Sequence, residues 1–240
     1  MKPAVLFDLG NTLAAYYRAD QFGPILELAI SGVLRELESR DLTSVAPEAA
    51  LSRALAENEE APDFRFRPMA DRLARIFDVS LADDPPLAEA LCECFLRPIF
   101  AIGRLYEDTL PALAELRDAG HPTAIVSNAP WGSPPDLWRR ELARLGLAAS
   151  VDCVVLCGDV GWRKPAREIF DYAARMLERL PGKCVFVGDD LRWDISGSAA
   201  AGMRPLLMDR EHRHPNHSAD RAHDLFGVLE VVQGMGRPGK

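Results

Sequence analysis

AVLFDLGNTLAAYY, residues 4–17, decides how the rest of the chain is read. Four apolar residues, Ala4 to Phe7, lead straight into Asp8, and a tight polar turn, Leu9-Gly10-Asn11-Thr12, follows. An apolar run without polar alternation predicts a fully buried parallel strand. A carboxylate at the carboxyl end of such a strand stands where open α/β sheets bind ligands and do their chemistry. Sites of that kind commonly carry a second acid close by to move protons, and here the residue two places on is Gly10. Either the site lacks a part or it never needed it.

Working outward, four more runs share this character: PTAIVS (122–127), DCVVL (152–156), KCVFVG (183–188) and RPLLMD (204–209). Between them lie helical patterns, LPALAELRDAG (110–120), PPDLWRRELARLGL (134–147), PAREIFDYAARMLERLPG (165–182) and DISGSAAAGM (194–203). Proline opens two of them and each closes at a glycine, the expected asymmetry of helix ends. Strand alternating with helix predicts an α/β fold with a doubly wound parallel sheet. From about Tyr16 to Gly103 the alternation stops. GPILELAISGVLRELESR, PEAALSRALAENEE, MADRLARIF and LAEALCECFLRPIF carry helical periodicity with no strand among them. This predicts a helical domain, residues 16–103, inserted over the carboxyl edge of a core built from residues 1–15 and 104–240. The last residues, QGMGRPGK, read as a frayed tail.

Of the 240 residues, 48% are hydrophobic and 27% charged, the balance of a globular protein, and the formal net charge is -8. That charge argues against nucleic acid or an anionic membrane as a standing partner. No apolar stretch approaches membrane-spanning length, and MKPAVLFDLG meets an acid too early for a secretory segment. Five cysteines, an odd number, fit thiols kept reduced, so a cytoplasmic protein is expected.

Polar groups follow four of the predicted strands. Asp8 ends the first, and Ser127-Asn128 ends the second. GDVGWRKPAREIF (158–170), with Lys164 before a proline, follows the third, and Gly188-Asp189-Asp190, with Asp194 shortly after, ends the fourth. In a parallel sheet these ends meet at one edge. Clustered carboxylates repel one another and call for a cation, and an all-oxygen donor set suits Mg²⁺. The Ser127 hydroxyl and the Lys164 ammonium suit phosphate oxygens. Phosphoryl transfer is mostly positioning plus charge stabilisation, and these are its parts.

FDLGNTL, IVSNA, GWRKPAREIF and VGDDLRWDISGSAAAGM, taken together, resemble the four ordered motifs of the haloacid dehalogenase-like (HAD) hydrolases. The likeness runs from residue 4 to about 210. Any one motif is weak, but the four in order, each at a strand end, are specific. The resemblance implies a Rossmann-like HAD core with an inserted α-helical, C1-type cap. It implies a hydrolase, most simply a phosphatase of a small phosphorylated metabolite, with Asp8 as the nucleophile that forms an aspartyl-phosphate. The Gly10 carbonyl and Asp189 would join Asp8 as Mg²⁺ ligands, with Asp194 supporting the metal or Lys164. Ser127 and Lys164 would hold the phosphate, and Asn11, Thr12 and Asn128 would bind substrate beside them.

Position 10 departs from that pattern, because the family's phosphatases carry a second aspartate there. Glycine keeps the carbonyl and removes the proton shuttle, a loss worth about 10²- to 10⁴-fold in rate. The family's dehalogenases also lack this aspartate but use no Mg²⁺, whereas GDDLRWD looks like a metal site. The alternative is a catalytically weak or inactive HAD-fold protein that binds a phosphorylated ligand or a protein partner. A signalling receiver domain is excluded, since receivers carry the accepting aspartate on a later strand and have no helical insert.

Other residues are read more plainly. His212, His214 and His217 fit no common zinc spacing and are expected in an exposed polar loop. Cys92-Glu93-Cys94 has no second pair to complete a metal site. DFRFRP (63–68) reads first as local packing of the insert and second as a specificity element reaching the substrate. Asp190 reads as a helix amino-terminal residue. Tyr16, Tyr17, Arg18 and Trp131 are candidates for touching the leaving group, and Asp20 or Glu27 for replacing the absent acid.

Overall fold

The computed structural model describes residues 2–42, 45–58 and 61–235. β1 (Ala4–Phe7) is buried along its whole length. It pairs in parallel with β4 (Thr123–Ser127) on one side and β6 (Cys184–Gly188) on the other. β5 (Cys153–Leu156) lies outside β4, while β7 (Arg204–Met208) and β8 (Arg221–Ala222) extend the other edge, giving the order β5-β4-β1-β6-β7-β8, parallel throughout. All five expected strands form within a residue of their expected bounds. Within this sheet only β8 is new, two residues in a polar stretch with no apolar run to announce it.

Helices cover the sheet, among them α5 (Thr109–Asp118), α6 (Pro135–Arg144), α8 (Arg167–Met176) and α10 (Leu225–Gly234). Between α6 and α8 the short α7 (Cys157–Val160) follows β5. Phe170 of α8 meets Phe186 of β6 edge-on, ring centroids 4.9 Å apart, which explains why these strands carry no polar alternation. α8 stops at Met176 rather than at Gly182, because Glu178 already takes left-handed backbone. α10 runs to Gly234, so the start of the supposed tail is helical, and residues 236–240 lie outside the described residues.

The expected helix at 194–203 begins earlier and in another form. Asp190 caps the N–H groups of Arg192 and Trp193, as its reading as a helix-start residue requires. The backbone then makes a π-helical turn, Leu191–Ser196, before the short α9 (Gly197–Ala200). That wide turn brings Asp194 inward, where it is 1% exposed.

The chain leaves the sheet through β2 (Ala14–Ala15) and returns through β3 (Arg104–Leu105), an antiparallel pair too short to show in the sequence. Between them lie α1 (Phe22–Glu38), α2 (Pro47–Glu57), α3 (Met69–Phe77) and α4 (Pro85–Ile102). α1 packs on α4, α2 on α1 and α3, and α3 on α4. The buried stripe of α1, Ile25, Leu26, Ala29, Ile30, Val33 and Leu37, follows the helical period. Cys92 and Cys94 are buried in α4, and all five cysteines are free thiols. Phe95 of α4 packs on Trp131 at 5.1 Å and so ties the helices to the core loops. Among the described residues, no helix is long and apolar enough to cross a membrane.

Candidate active site

A cavity of about 380 Å³ opens where β1, β4 and β6 end, and its wall includes Asp8, Gly10, Asn11, Ser127, Lys164 and Asp189. Asp8 directly follows β1, with its N–H held by the Val187 carbonyl at 2.8 Å. Lys164 comes from the turn before α8 and is 2% exposed. Its Nζ donates to Asp8 Oδ1 at 2.5 Å and to Asp194 Oδ1 at 2.6 Å. A buried ammonium is tolerable only with such partners.

The electrostatics show what this cluster lacks. Burial pushes the Asp8 and Asp194 carboxyls upward by more than the Lys164 ammonium pulls them down. Burial lowers the Lys164 ammonium, but the two carboxylates outweigh it and hold the group above its ordinary value. Burial and then the Asp194 charge push Asp189 up to about 6, against the opposing pull of the Asn11 amide, Lys164 and Arg213. Asp8, Asp189 and Asp194 each offer an oxygen within 4.8 Å of the others, the one such group found among the described residues. Three crowded carboxylates around a single ammonium are short of positive charge, and an all-oxygen set fits a hard divalent cation.

Close packing holds the geometry. A Cβ at Gly188 would lie 2.4 Å from the Asp194 carboxyl, so only glycine lets β6 pass there. The second oxygen of Asp194 accepts from the Asp190 N–H at 3.1 Å. At Gly10, in contrast, a Cβ would meet nothing within 4 Å.

Not every expected residue faces the cavity in the expected way. The Asn128 amide is occupied by Lys164, donating to its carbonyl at 3.0 Å and accepting from its N–H at 2.8 Å. A non-helical backbone unit inside the protein needs both partners, so the side chain of Asn128, which also stands in the cavity wall, positions the lysine. Thr12 is fully buried, its hydroxyl has no hydrogen-bond partner, and it is absent from the cavity wall. The turn folds inward there because the N–H groups of Leu13 and Ala14 both reach the Leu9 carbonyl. Ser127 and Asn11 do line the cavity, Asn11 in left-handed backbone.

Of the leaving-group candidates, Tyr16 and Tyr17 stand in the wall, and Arg18 and Trp131 do not. Arg18 is exposed and paired with Asp20 at 3.1 Å, and Glu27 is exposed on α1, so neither candidate acid lines the cavity. The buried Tyr16 hydroxyl has no hydrogen-bond partner, and burial followed by the Glu141 charge raises its pKa, so the phenol stays protonated.

Sequence reading missed several supports. Arg210, stacked on Tyr106 at 3.8 Å, forks onto Asp108 at 3.0 Å and donates to the Thr12 carbonyl at 2.9 Å, bracing the Asp8 turn. Arg213, from the histidine-rich loop, approaches Asp189 at 3.4 Å. The histidines themselves form no metal cluster among the described residues, since His212 and His223 stack at 4.0 Å and His217 accepts from the Ala219 N–H. The 63–68 segment does more than pack locally. Phe66 donates to the Gly161 carbonyl at 3.0 Å, the Phe64 carbonyl accepts from the Arg163 N–H at 2.8 Å, and Arg65 lies over the Trp162 ring at 3.7 Å. The insert is thus hydrogen-bonded to the loop that delivers Lys164.

The model of the haloacid dehalogenase-like hydrolase family matches residues 2–202 of this chain. The chain belongs to that family. A glyceraldehyde 3-phosphate phosphatase of Methanopyrus kandleri is 30% identical, the match covering 97% of this chain and 99% of the relative. A HAD phosphatase from Thermococcus onnurineus superposes with a TM-score of 0.69 at 27% identity, over 98% of this chain and 99% of that one. A 2-haloacid dehalogenase from Pseudomonas syringae superposes with a TM-score of 0.71 at 21% identity over 98% and 100%, a likeness of fold alone. The parallel sheet is thus the Rossmann-like core of a HAD hydrolase.

Proposed function

We propose that this HAD-like hydrolase is a Mg²⁺-dependent phosphatase of a small phosphorylated metabolite, acting through Asp8. The observation that carries the reading is the buried set Asp8–Lys164–Asp194 with Asp189 in ligand reach, at 2.5 and 2.6 Å about the ammonium. A dehalogenase has no use for a third carboxylate held there in want of a cation. The phosphatase name of the Methanopyrus kandleri relative supports the same choice.

Asp8, Asp189 and the Gly10 carbonyl would hold Mg²⁺, with Asp194 supporting. The ion would offset carboxylate repulsion and neutralise charge on the phosphoryl oxygens. Lys164 and the Ser127 hydroxyl orient the phosphoryl group. The attacking atom is a carboxylate oxygen of Asp8. It forms a bond to phosphorus as the ester oxygen departs with its electron pair, and water then displaces the carboxylate, releasing inorganic phosphate. Helices α1–α4, within residues 16–103, act as a cap over the core formed by 1–15 and 104–240. No side chain at Gly10 protonates the leaving oxygen, so acidic leaving groups depart best. The phenol of Tyr16, a residue of the cavity wall, is neutral and without a hydrogen-bond partner, and it is our candidate for a replacement donor. Free thiols at all five cysteines suit a reducing compartment such as the cytoplasm.

Phosphate release from a panel of phosphorylated metabolites, with and without Mg²⁺, tests this reading. Mg²⁺-dependent turnover that chelators abolish is expected, and turnover unaffected by chelators overturns it. Gly10 also favours a second reading, a HAD-fold protein that binds a phosphorylated ligand with little turnover. Binding without release of phosphate, across the panel, selects it.

A further inference from the structure

The wall of the cavity around Asp8 is only in part a gathering of charges. Tyr16, Tyr17, Ile99, Pro130, Trp138 and Trp193 stand in it beside Asp8 and Lys164, and four of these six are aromatic. Tyr16 and Tyr17 follow β2, Ile99 lies on α4, Trp138 on α6 and Trp193 in the turn after β6. Among the described residues, the charged side chains of the wall are Asp8, Lys164, Asp189, Asp190 and Asp194, from the ends of β1 and β6 and the loop before α8. Neither residues 16–103 nor α6 adds a charge to them.

The rings hold one another in place. Tyr16 meets Trp138 edge-on with centroids 5.6 Å apart, and Phe100 meets the same indole at 5.0 Å. The Trp138 N–H donates to the Ser133 hydroxyl at 2.7 Å, so this indole has no polar atom left for a ligand. Phe64 packs edge-on against Trp193 at 6.1 Å, and Arg192 lies over that ring at 4.2 Å. Burial raises the pKa of Tyr16 and of Tyr17, which keeps both phenols neutral. A substrate hydroxyl brought against such a wall gives up water and recovers few hydrogen bonds, whereas an aromatic ring gains apolar area and edge or face contacts. Independently, Gly10 offers no side chain to protonate a departing oxygen. A phenol has an ordinary pKa of about 10, so a phenolate departs without the help that a far more basic alkoxide requires.

We propose that the group leaving from phosphorus is a phenol, so that the substrate is a small aryl phosphate whose ring is received among Tyr17, Trp138 and Trp193. The proposal rests on the phosphatase reading for the cleaved bond and adds the class of leaving group. As the bond from Asp8 to phosphorus forms, the bond from phosphorus to the ring oxygen breaks. The phenolate carries off that electron pair, and water protonates it after release. Two unrelated features converge, since the aromatic wall selects the ring by contact and the glycine selects it by basicity.

Calorimetry with phenylphosphonate and 2,3-dihydroxypropylphosphonate, in the presence of Mg²⁺, tests recognition apart from bond breaking, because the C–P bond of each survives. Phenylphosphonate is expected to bind about tenfold or more tightly than the hydroxylated compound. In Tyr17→Ala and in Trp193→Ala, each checked by far-UV circular dichroism, that ratio is expected to fall by about two- to tenfold, the worth of one aromatic contact. Where Trp193→Ala unfolds, Tyr17→Leu, which keeps bulk and removes the ring, supplies the second measurement. Equal affinities in the parent, or a ratio unchanged in the variants, overturn the aryl assignment. Turnover separates it from the reading beneath it. Phenyl phosphate cleaved with a kcat/KM about 10²-fold or more above that of glycerol 1-phosphate supports both. Glycerol 1-phosphate cleaved as well as phenyl phosphate overturns the aryl assignment and leaves the phosphatase reading intact. A phosphonate preference that the variants weaken, without phosphate release from either ester, still supports the ring-binding wall and counts against phosphatase activity instead.

Discussion

Two adjoining cavities of the molecule are built on opposite principles. One gathers the carboxylates of Asp8, Asp189 and Asp194 around the Lys164 ammonium at the end of the sheet. The other, of about 310 Å³, has Arg65, Arg67, Arg72 and Arg163 in its wall, with Arg65 laid on Trp162 and Arg67 paired with Asp63. The carboxylates stand on or just after strand ends that the sheet holds in place, whereas the arginines come from segments on both sides of the β2–β3 ribbon, so the two cavities depend on different parts of the fold.

The largest expected effect comes from removing the group that distinguishes the first cavity. Asp8→Asn should lower phosphate release by about 10⁴-fold or more, since the amide is near-isosteric but does not attack phosphorus. Circular dichroism and the thermal midpoint should stay close to the parent, because Lys164 keeps its 2.6 Å pair with Asp194. Comparable turnover in the variant would remove Asp8 from the mechanism.

Gly10→Asp comes next. Space for the side chain is open, with nothing within 4 Å of a Cβ. Supplying the acid should speed alkyl phosphate hydrolysis by about 10²-fold while changing aryl phosphates little. Fast alkyl turnover in the parent would show that the site already has a donor, and Tyr16→Phe would then be the variant to lose it.

A smaller effect separates the two remaining acids. Asp194 has one oxygen on Lys164 at 2.6 Å and the other on the Asp190 N–H at 3.1 Å, whereas Asp189 receives only the 3.4 Å approach of Arg213 and the Asn11 amide. Calorimetry should find Mg²⁺ affinity reduced more by Asp189→Ala than by Asp194→Ala, the latter falling by about 10- to 100-fold as an outer support. Equal losses would erase the distinction.

The smallest effect is a shift of the thermal midpoint. Asp189 titrates near 6 in the folded chain against an ordinary 3.8, so the folded state holds its proton more tightly than the unfolded one. The stability this gives is full below about pH 4 and is lost as pH rises through 6. Mg²⁺ binds the ionised form, so it should raise the midpoint by a few degrees at pH 7.5 and hardly at all at pH 4.5. A shift of the same size at both pH values would show that the carboxylates are not the ligands.

The parts legible in the sequence were those that local chemistry dictates. Strands buried on both faces must be continuous apolar runs, and Asp8, Ser127, Lys164 and Asp189 follow such runs, so their convergence could be reasoned out before any coordinate. The contacts of Asn128 and Thr12 were not legible, because they depend on which way a loop folds. The Asn128 amide found a backbone thirty-six residues away, and Thr12 was turned inward by two hydrogen bonds to Leu9. Arg210 braces a turn 198 residues distant in the chain, and no periodicity encodes that. β2, β3 and β8 are two residues each, too short for any pattern to emerge.

The ribbon of β2 and β3 has a consequence for how such a protein changes over generations. Because Ala14 pairs with Leu105 and Ala15 with Arg104, the two ends of the helical insert are held side by side, and to the sheet the whole insert is one hairpin. Lengthening what hangs from that hairpin adds only about 0.6 kcal/mol of closure entropy per doubling. Elongation within the insert therefore costs the ribbon little, whereas the 63–68 segment, hydrogen-bonded through Phe64 and Phe66 to the loop that delivers Lys164, is a part that a lineage would have to keep or replace with an equivalent support.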